Sequence, residues 1–202
     1  MRVSLLLLSL LPVLVACSTS APRSADSQPG LAPSGGTASS VEPAASFPAK
    51  VAGFSIAGRN VYADPRLGVA YHYQNGSTRC SVYAYDRGYG HIPDGIDNEI
   101  VRLEFDEARR DIRLAASAGA YSDLRELGRS HRVIDISAGK LSLLRADYRF
   151  RLRGRLRHSV LFVTGSRNRF LKMRCTWLSE KDRLGKSRME RFVHDVADFY
   201  LR

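Results

Sequence analysis

The sequence predicts an α+β domain: an antiparallel, hairpin-built, curved sheet packed with two main helices. Three observations carry this. Short β-branched and aromatic runs separated by turn residues lie on both sides of one helical stretch. A second helical stretch closes the chain, and strands and helices never alternate one for one, so no parallel sheet is indicated.

The elements follow in order. A short strand at Arg59–Ala63 precedes two longer ones, Gly68–Gln74 and Cys80–Asp86. These flank Asn75-Gly76-Ser77-Thr78-Arg79, a five-residue connection that opens on a hairpin dipeptide. Arg87–Gly95 is a loop rich in Gly and Pro. A helix is predicted over Asp97–Ala118, because Val101, Phe105, Ala108, Ile112 and Ala115 recur every three or four residues and so share a face. Asp97 and Glu99 place negative charge at its start, where the helix dipole favours it, and Gly119 ends it. Strands near Val133–Ser137, Leu141–Leu152, Leu156–Gly165 and Phe170–Leu178 come next. A closing helix, Ser187–Leu201, carries Met189, Phe192, Val193, Val196 and Tyr200 on one side. This order, and above all the closing strand and helix of Phe170–Leu201, resembles the PsbP-like fold, a curved antiparallel sheet packed with helices found in small binding and assembly proteins. The resemblance covers most of Phe54–Leu201.

Ahead of the domain lie two segments of different character. Met1 and Arg2 form a basic start to an apolar run, Val3–Val15, that is shorter than the roughly 20 residues a spanning helix needs. It ends in Leu14-Val15-Ala16-Cys17, which resembles the cleavage motif of the bacterial lipoprotein class. The resemblance implies a signal peptide over 1–16, acylation of Cys17 as the first mature residue, and membrane attachment through its lipids. Two or three acyl chains anchor far more firmly than one, at about 0.8 kcal/mol per buried CH₂. Ser18 stands where that class's inner-membrane retention signal would place Asp, which implies the outer membrane, facing the periplasm. From Ser18 to Ser46, 23 of 29 residues are Ala, Ser, Thr, Pro or Gly, a composition that cannot bury enough apolar surface to order itself. The expected organisation is therefore a signal peptide (1–16), a lipidated Cys17 with a tether (17–46), and one α+β domain (47–202).

With Cys17 acylated, Cys80 and Cys175 remain, each in a predicted strand of a protein exported to an oxidising compartment. A disulfide between them is predicted; two separate buried thiols are the alternative.

The net charge is +11, from 31 Lys and Arg against 20 Asp and Glu, and 26 of the basic residues are Arg. A hydrophobic fraction of 44% excludes a wholly disordered chain. Between Arg145 and Arg174 stand ten basic residues and one acid, Asp147. Arg145, Arg149, Arg151, Arg153, Arg155 and Arg157 are all odd-numbered, while Ala146, Tyr148, Phe150, Leu152 and Leu156 are even. Period-two alternation then puts the arginines on one sheet face, provided a three-residue turn Arg153-Gly154-Arg155 pairs Leu152 with Leu156. Arg169, Lys172 and Arg174 extend the basic area. Two readings fit: a site for an anionic envelope component or an acidic protein partner, engaged by guanidinium forks, or a solvated face built from an Arg-biased coding pool. Asp94–Glu126, by contrast, has nine acids and five bases, so part of the arginine face could meet the first helix.

Signals for catalysis are weak. No nucleophile elbow, P-loop, zinc-protease or dinucleotide motif is present, and the five histidines have no metal-ligand spacing. A paired-carboxylate role for Asp94 and Asp97 is conceivable, but turn formation and helix capping explain both more simply. Tyr71, Tyr73, Tyr83 and Tyr85 share parity and suit either an aromatic surface or a sheet core. No enzyme, no cofactor and no metal is expected. Charge alone would suit nucleic acid, but export argues against it. The expected function is a lipid-anchored cell-envelope protein with a non-catalytic binding or assembly domain. The alternative is a periplasmic immunity or inhibitor protein acting on a toxin or hydrolase.

Overall fold

Turn chemistry builds most of this sheet. The computed structural model describes residues 46–202; the predicted signal segment, Cys17 and all but the last residue of the predicted tether lie outside the described residues. Strands β1 (Lys50–Val51) and β2 (Phe54–Val61) turn on Ala52-Gly53, and β3 (Val69–Asn75) and β4 (Thr78–Tyr85) on Gly76-Ser77. Helix α1 (Glu99–Ser117) crosses to a second meander of β5 (Ser122–Ile136), β6 (Gly139–Leu152), β7 (Arg155–Ser166) and β8 (Arg169–Leu178), and α2 (Asp182–Leu201) closes the chain. The two meanders join through β4 and β8, giving one sheet in the order β1-β2-β3-β4-β8-β7-β6-β5, antiparallel throughout. The α+β class and antiparallel sheet are those the sequence predicts.

The helices cover opposite faces. Met189, Phe192, Val193, Val196 and Tyr200 of α2 pack with Tyr71, Tyr73, Val82, Phe162, Met173 and Trp177. Val101, Phe105, Ala108 and Ile112 of α1 pack with Tyr148, Leu161, Val163 and Phe170. Burying each of the Val, Leu, Ile, Phe and Met side chains among these contributes about 1.5–3 kcal/mol. Helix α1 starts just after the expected point, because the Asn98 side chain accepts a hydrogen bond from the Val101 N–H at 2.9 Å and caps it. Cys80 and Cys175 lie directly across from each other in the β4–β8 register and are bonded through sulfur.

The arginine stripe does not keep to one face. A two-residue turn pairs residue i with i+3, so the partners it brings together always differ in parity. The β6–β7 connection is Arg153-Gly154, with φ of 51° and 74°, the left-handed pair a type I′ turn requires. Leu152 therefore pairs with Arg155, not Leu156. The odd-numbered arginines of β6 face the α2 side, whereas Arg155 and Arg157 of β7 face the α1 side. Sequence alternation could not select the register, because β7 is apolar on both sides: Val160 and Phe162 pack in the α2-side core, Leu161 and Val163 in the other. With both parities satisfied, the turn that matches the sheet's twist decides. The Gly76-Ser77 turn divides the tyrosines in the same way, Tyr71 and Tyr73 facing α2, Tyr83 and Tyr85 facing α1.

Strand β5 also differs from expectation. It runs over fifteen residues, far beyond Val133–Ser137, yet only Ile134 within it is fully buried. Its backbone bonds to β6 hold it at the sheet edge, with two register irregularities near Arg125 and Gly128. A strand exposed on both faces has no apolar period to read.

A candidate anion-binding groove

Helix α1 covers only part of its face of the sheet. Beyond the Tyr121 end of its cover, toward the β6–β7 hairpin, lies a groove of about 570 Å3. Its bed comes from β4, β8 and β7, which set Arg79, Thr176 and Ser159 side by side in one row across the sheet. Arg174 lies two residues along β8 from that row, and Arg157 two residues along β7 in the opposite direction. Arg153 and Arg155 form the rim at the hairpin. Five arginines thus line the groove, with no Asp or Glu among its lining residues.

The bed is polar and ordered. The Ser159 and Thr176 hydroxyls are 2.9 Å apart, and Arg174 Nε donates to Ser159 Oγ at 3.0 Å. The Arg174 guanidinium also lies 5.7 Å from the Tyr121 ring centre and 5.8 Å from that of Phe150, and the two rings meet at 4.5 Å, tilted by 34°. Cation–π contact and the Ser159 bond together hold this arginine without a carboxylate.

The remaining arginines are unevenly satisfied. Arg155 pairs with Glu180 at the exposed rim. Among the described residues, Arg79, Arg153 and Arg157 have no acidic partner, and Arg157 Nε is buried without a hydrogen bond. Burial, and then the positive charges of Arg155, Arg79 and Arg153, push Arg157 below the ordinary arginine value. Like charges gathered on one face repel each other. A buried, unpaired donor costs about 1–3 kcal/mol. An anion in the groove would relieve both.

The other predicted basic residues go elsewhere. Arg145 donates two hydrogen bonds to Asp147 on its own strand, at 2.6 and 2.7 Å. Arg151 pairs with Asp123 at 3.2 Å. Arg149 sits on the α2 side, in register with Arg125 and His158. Lys172 lies deeper under α1, its amine 4.8 and 4.9 Å from the Tyr83 and Tyr85 ring centres, and burial pushes its pKa down. Arg169, at the β8 start, is on the opposite face from Arg174. Of the nine predicted residues, Arg153, Arg155, Arg157 and Arg174 share one site, joined by Arg79, which sequence alone places in a connecting loop.

Helix α1 does meet part of the stripe: Ala108, Asp111 and Ile112 share a cleft with Lys172 and Arg174, and the Glu104 and Asp111 carboxylates act on the Lys172 amine. Glu104, buried, takes the Tyr85 hydroxyl and the Arg87 guanidinium. Arg109 joins Asp106 and Glu126. Asp94 and Asp97 do not form a pair: Asp94 accepts the Arg167 N–H at 3.0 Å and helps pin the loop after β4 to the β7–β8 hairpin, while Asp97 is almost fully exposed. His72 bonds Ser81, His158 bonds Asp182 and His194 bonds Asp195, each separately.

No protein-family model matches the chain, and no curated protein matches it. Among solved structures it is similar to cyanobacterial PsbP (CyanoP) from Synechocystis sp. PCC 6803, determined in solution, at 15% identity and a TM-score of 0.44 over 71% of this chain and 85% of that one.

Proposed function

We propose that this is a lipid-anchored cell-envelope protein whose 47–202 domain is a non-catalytic binding or assembly module, and that the arginine groove receives its anionic ligand or partner. The observation that supports this most is the groove's composition: five arginines, no lining carboxylate, and a buried Arg157 Nε with nothing to donate to. A merely solvated arginine face has no need to bury a guanidinium Nε without an acceptor. The anchor rests on Leu14-Val15-Ala16-Cys17, and the outer-membrane placement on Ser18.

Two experiments test the parts separately. Mass spectrometry of the membrane-extracted protein should find an N-terminal peptide that begins at acylated Cys17; an unmodified Cys17 peptide refutes the anchor. The full-length protein in non-ionic detergent should be retained on a phosphate-bearing resin and eluted by salt, because part-exposed charges are screened within a Debye length of about 10 Å at 0.1 M. The triple substitution Arg79→Glu, Arg157→Glu, Arg174→Glu should abolish retention. Undiminished retention refutes the groove as the binding site.

A further inference from the structure

Resting on the groove as an anion site, we propose that its ligand is a multivalent phosphoanion, carrying two or more phosphate groups that bind at once. Charge count is the first reason. Setting Arg155 against Glu180 leaves four guanidiniums without a carboxylate, and one phosphate engaged by guanidinium forks satisfies about two of them. Size is the second. At about 570 Å3 the groove falls among sites that hold ligands of drug size, far more room than one phosphate fills. The third is donor chemistry. Arginines of three strands, Arg79, Arg157 and Arg174, line the groove together with Thr176, Ser77, Ser81 and Gln74. A field of donors this dense suits tetrahedral oxyanions, each with at least three accepting oxygens, better than carboxylates with two.

The same chemistry can come from a phosphorylated lipid or saccharide headgroup at the membrane or from a soluble oligophosphate, so the test separates them. The full-length protein in non-ionic detergent is titrated calorimetrically, at constant ionic strength, with orthophosphate, pyrophosphate and tripolyphosphate. It is then titrated with mixed micelles bearing a single-phosphate or a bisphosphate lipid headgroup at matched surface charge. Pyrophosphate or the bisphosphate headgroup should bind at least about tenfold tighter than its single-phosphate counterpart, the gain expected of one further charge-assisted contact. The soluble series responding alone assigns an oligophosphate; the micelle series responding alone assigns a headgroup. Arg157→Gln and the exposed Arg79→Gln should each remove that gain. Arg79→Gln serves as the check should Arg157→Gln fail to fold by circular dichroism. Equal affinity for one and two phosphates, still lost in Arg79→Gln, overturns the multivalent ligand and leaves the groove standing. Binding of polyglutamate in place of phosphoanions, with the same arginine dependence, overturns phosphate as the chemistry. No arginine-dependent binding of any of these overturns the groove itself.

Discussion

Removing the Cys80–Cys175 bond should cost this domain much of its stability. The bond ties β4 to β8, the one strand pair that joins the two meanders, across a sequence separation of 95 residues. In the chain-entropy account, releasing a loop of that length returns about 4.7 kcal/mol of freedom to the unfolded state at 25 °C. Residual structure in the unfolded chain lowers this, so a loss of about 3–5 kcal/mol is expected for Cys80→Ala with Cys175→Ala. Both sulfurs are buried, so a small packing loss adds to it. With a urea slope of about 2 kcal/mol/M, the unfolding midpoint should fall by roughly 2 M. The assay is urea unfolding of the full-length protein followed by tryptophan fluorescence, since Trp177 is buried two residues beyond Cys175. Wild type in strong reductant should follow the double variant. Equal midpoints for oxidised protein and double variant would contradict this, as would alkylation of both cysteines in the oxidised, unfolded protein.

Two further substitutions probe how the sheet holds its loops and its last helix. Gly165→Ala should destabilise by about 1–3 kcal/mol, because the added Cβ would lie 2.1 Å from the Pro93 carbonyl oxygen and break the paired Gly95–Gly165 backbone bonds. Hydrogen exchange should show both amides losing protection, and unchanged protection would contradict this. Asp198 is held well below the usual carboxylate value by hydrogen bonds from Ser137 and then from Arg202. A lowered folded-state pKa contributes stability that is complete above the unfolded value of about 3.9 and is lost as pH falls toward the folded one. Asp198→Asn should therefore flatten the acid limb of the stability–pH curve below about pH 4, and an acid limb as steep as wild type would contradict the assignment.

The parts of this fold that were legible in the sequence are those where one face is buried and the other is wet. The α1 face of Val101, Phe105, Ala108 and Ile112 and the α2 face of Met189, Phe192, Val193 and Val196 were readable because an amphipathic helix has a single apolar stripe. Strand β5 was mostly not, since its sequence carries no buried alternation and it is held by main-chain bonds. The candidate site was half legible. The clustering of arginine around the β6–β7 hairpin was visible, but its face was not, because β7 is apolar in both parities and a one-residue difference in turn length exchanges the faces. Arg79 illustrates the remainder. Its membership depends on β4 pairing with β8 across the whole second meander, a contact that local pattern does not report.

The proposed anion site lies on the α1 side of the sheet and not on the arginine stripe as a whole. Arg149 and Arg157 share parity and neighbourhood in the sequence but face opposite sides. The decisive measurement is the tripolyphosphate affinity of Arg149→Gln and Arg157→Gln beside wild type, by calorimetry at one ionic strength. Arg157→Gln should weaken binding by about tenfold or more while Arg149→Gln stays within about twofold of wild type. Equal losses in the two variants would mean diffuse charge attraction and would contradict the groove.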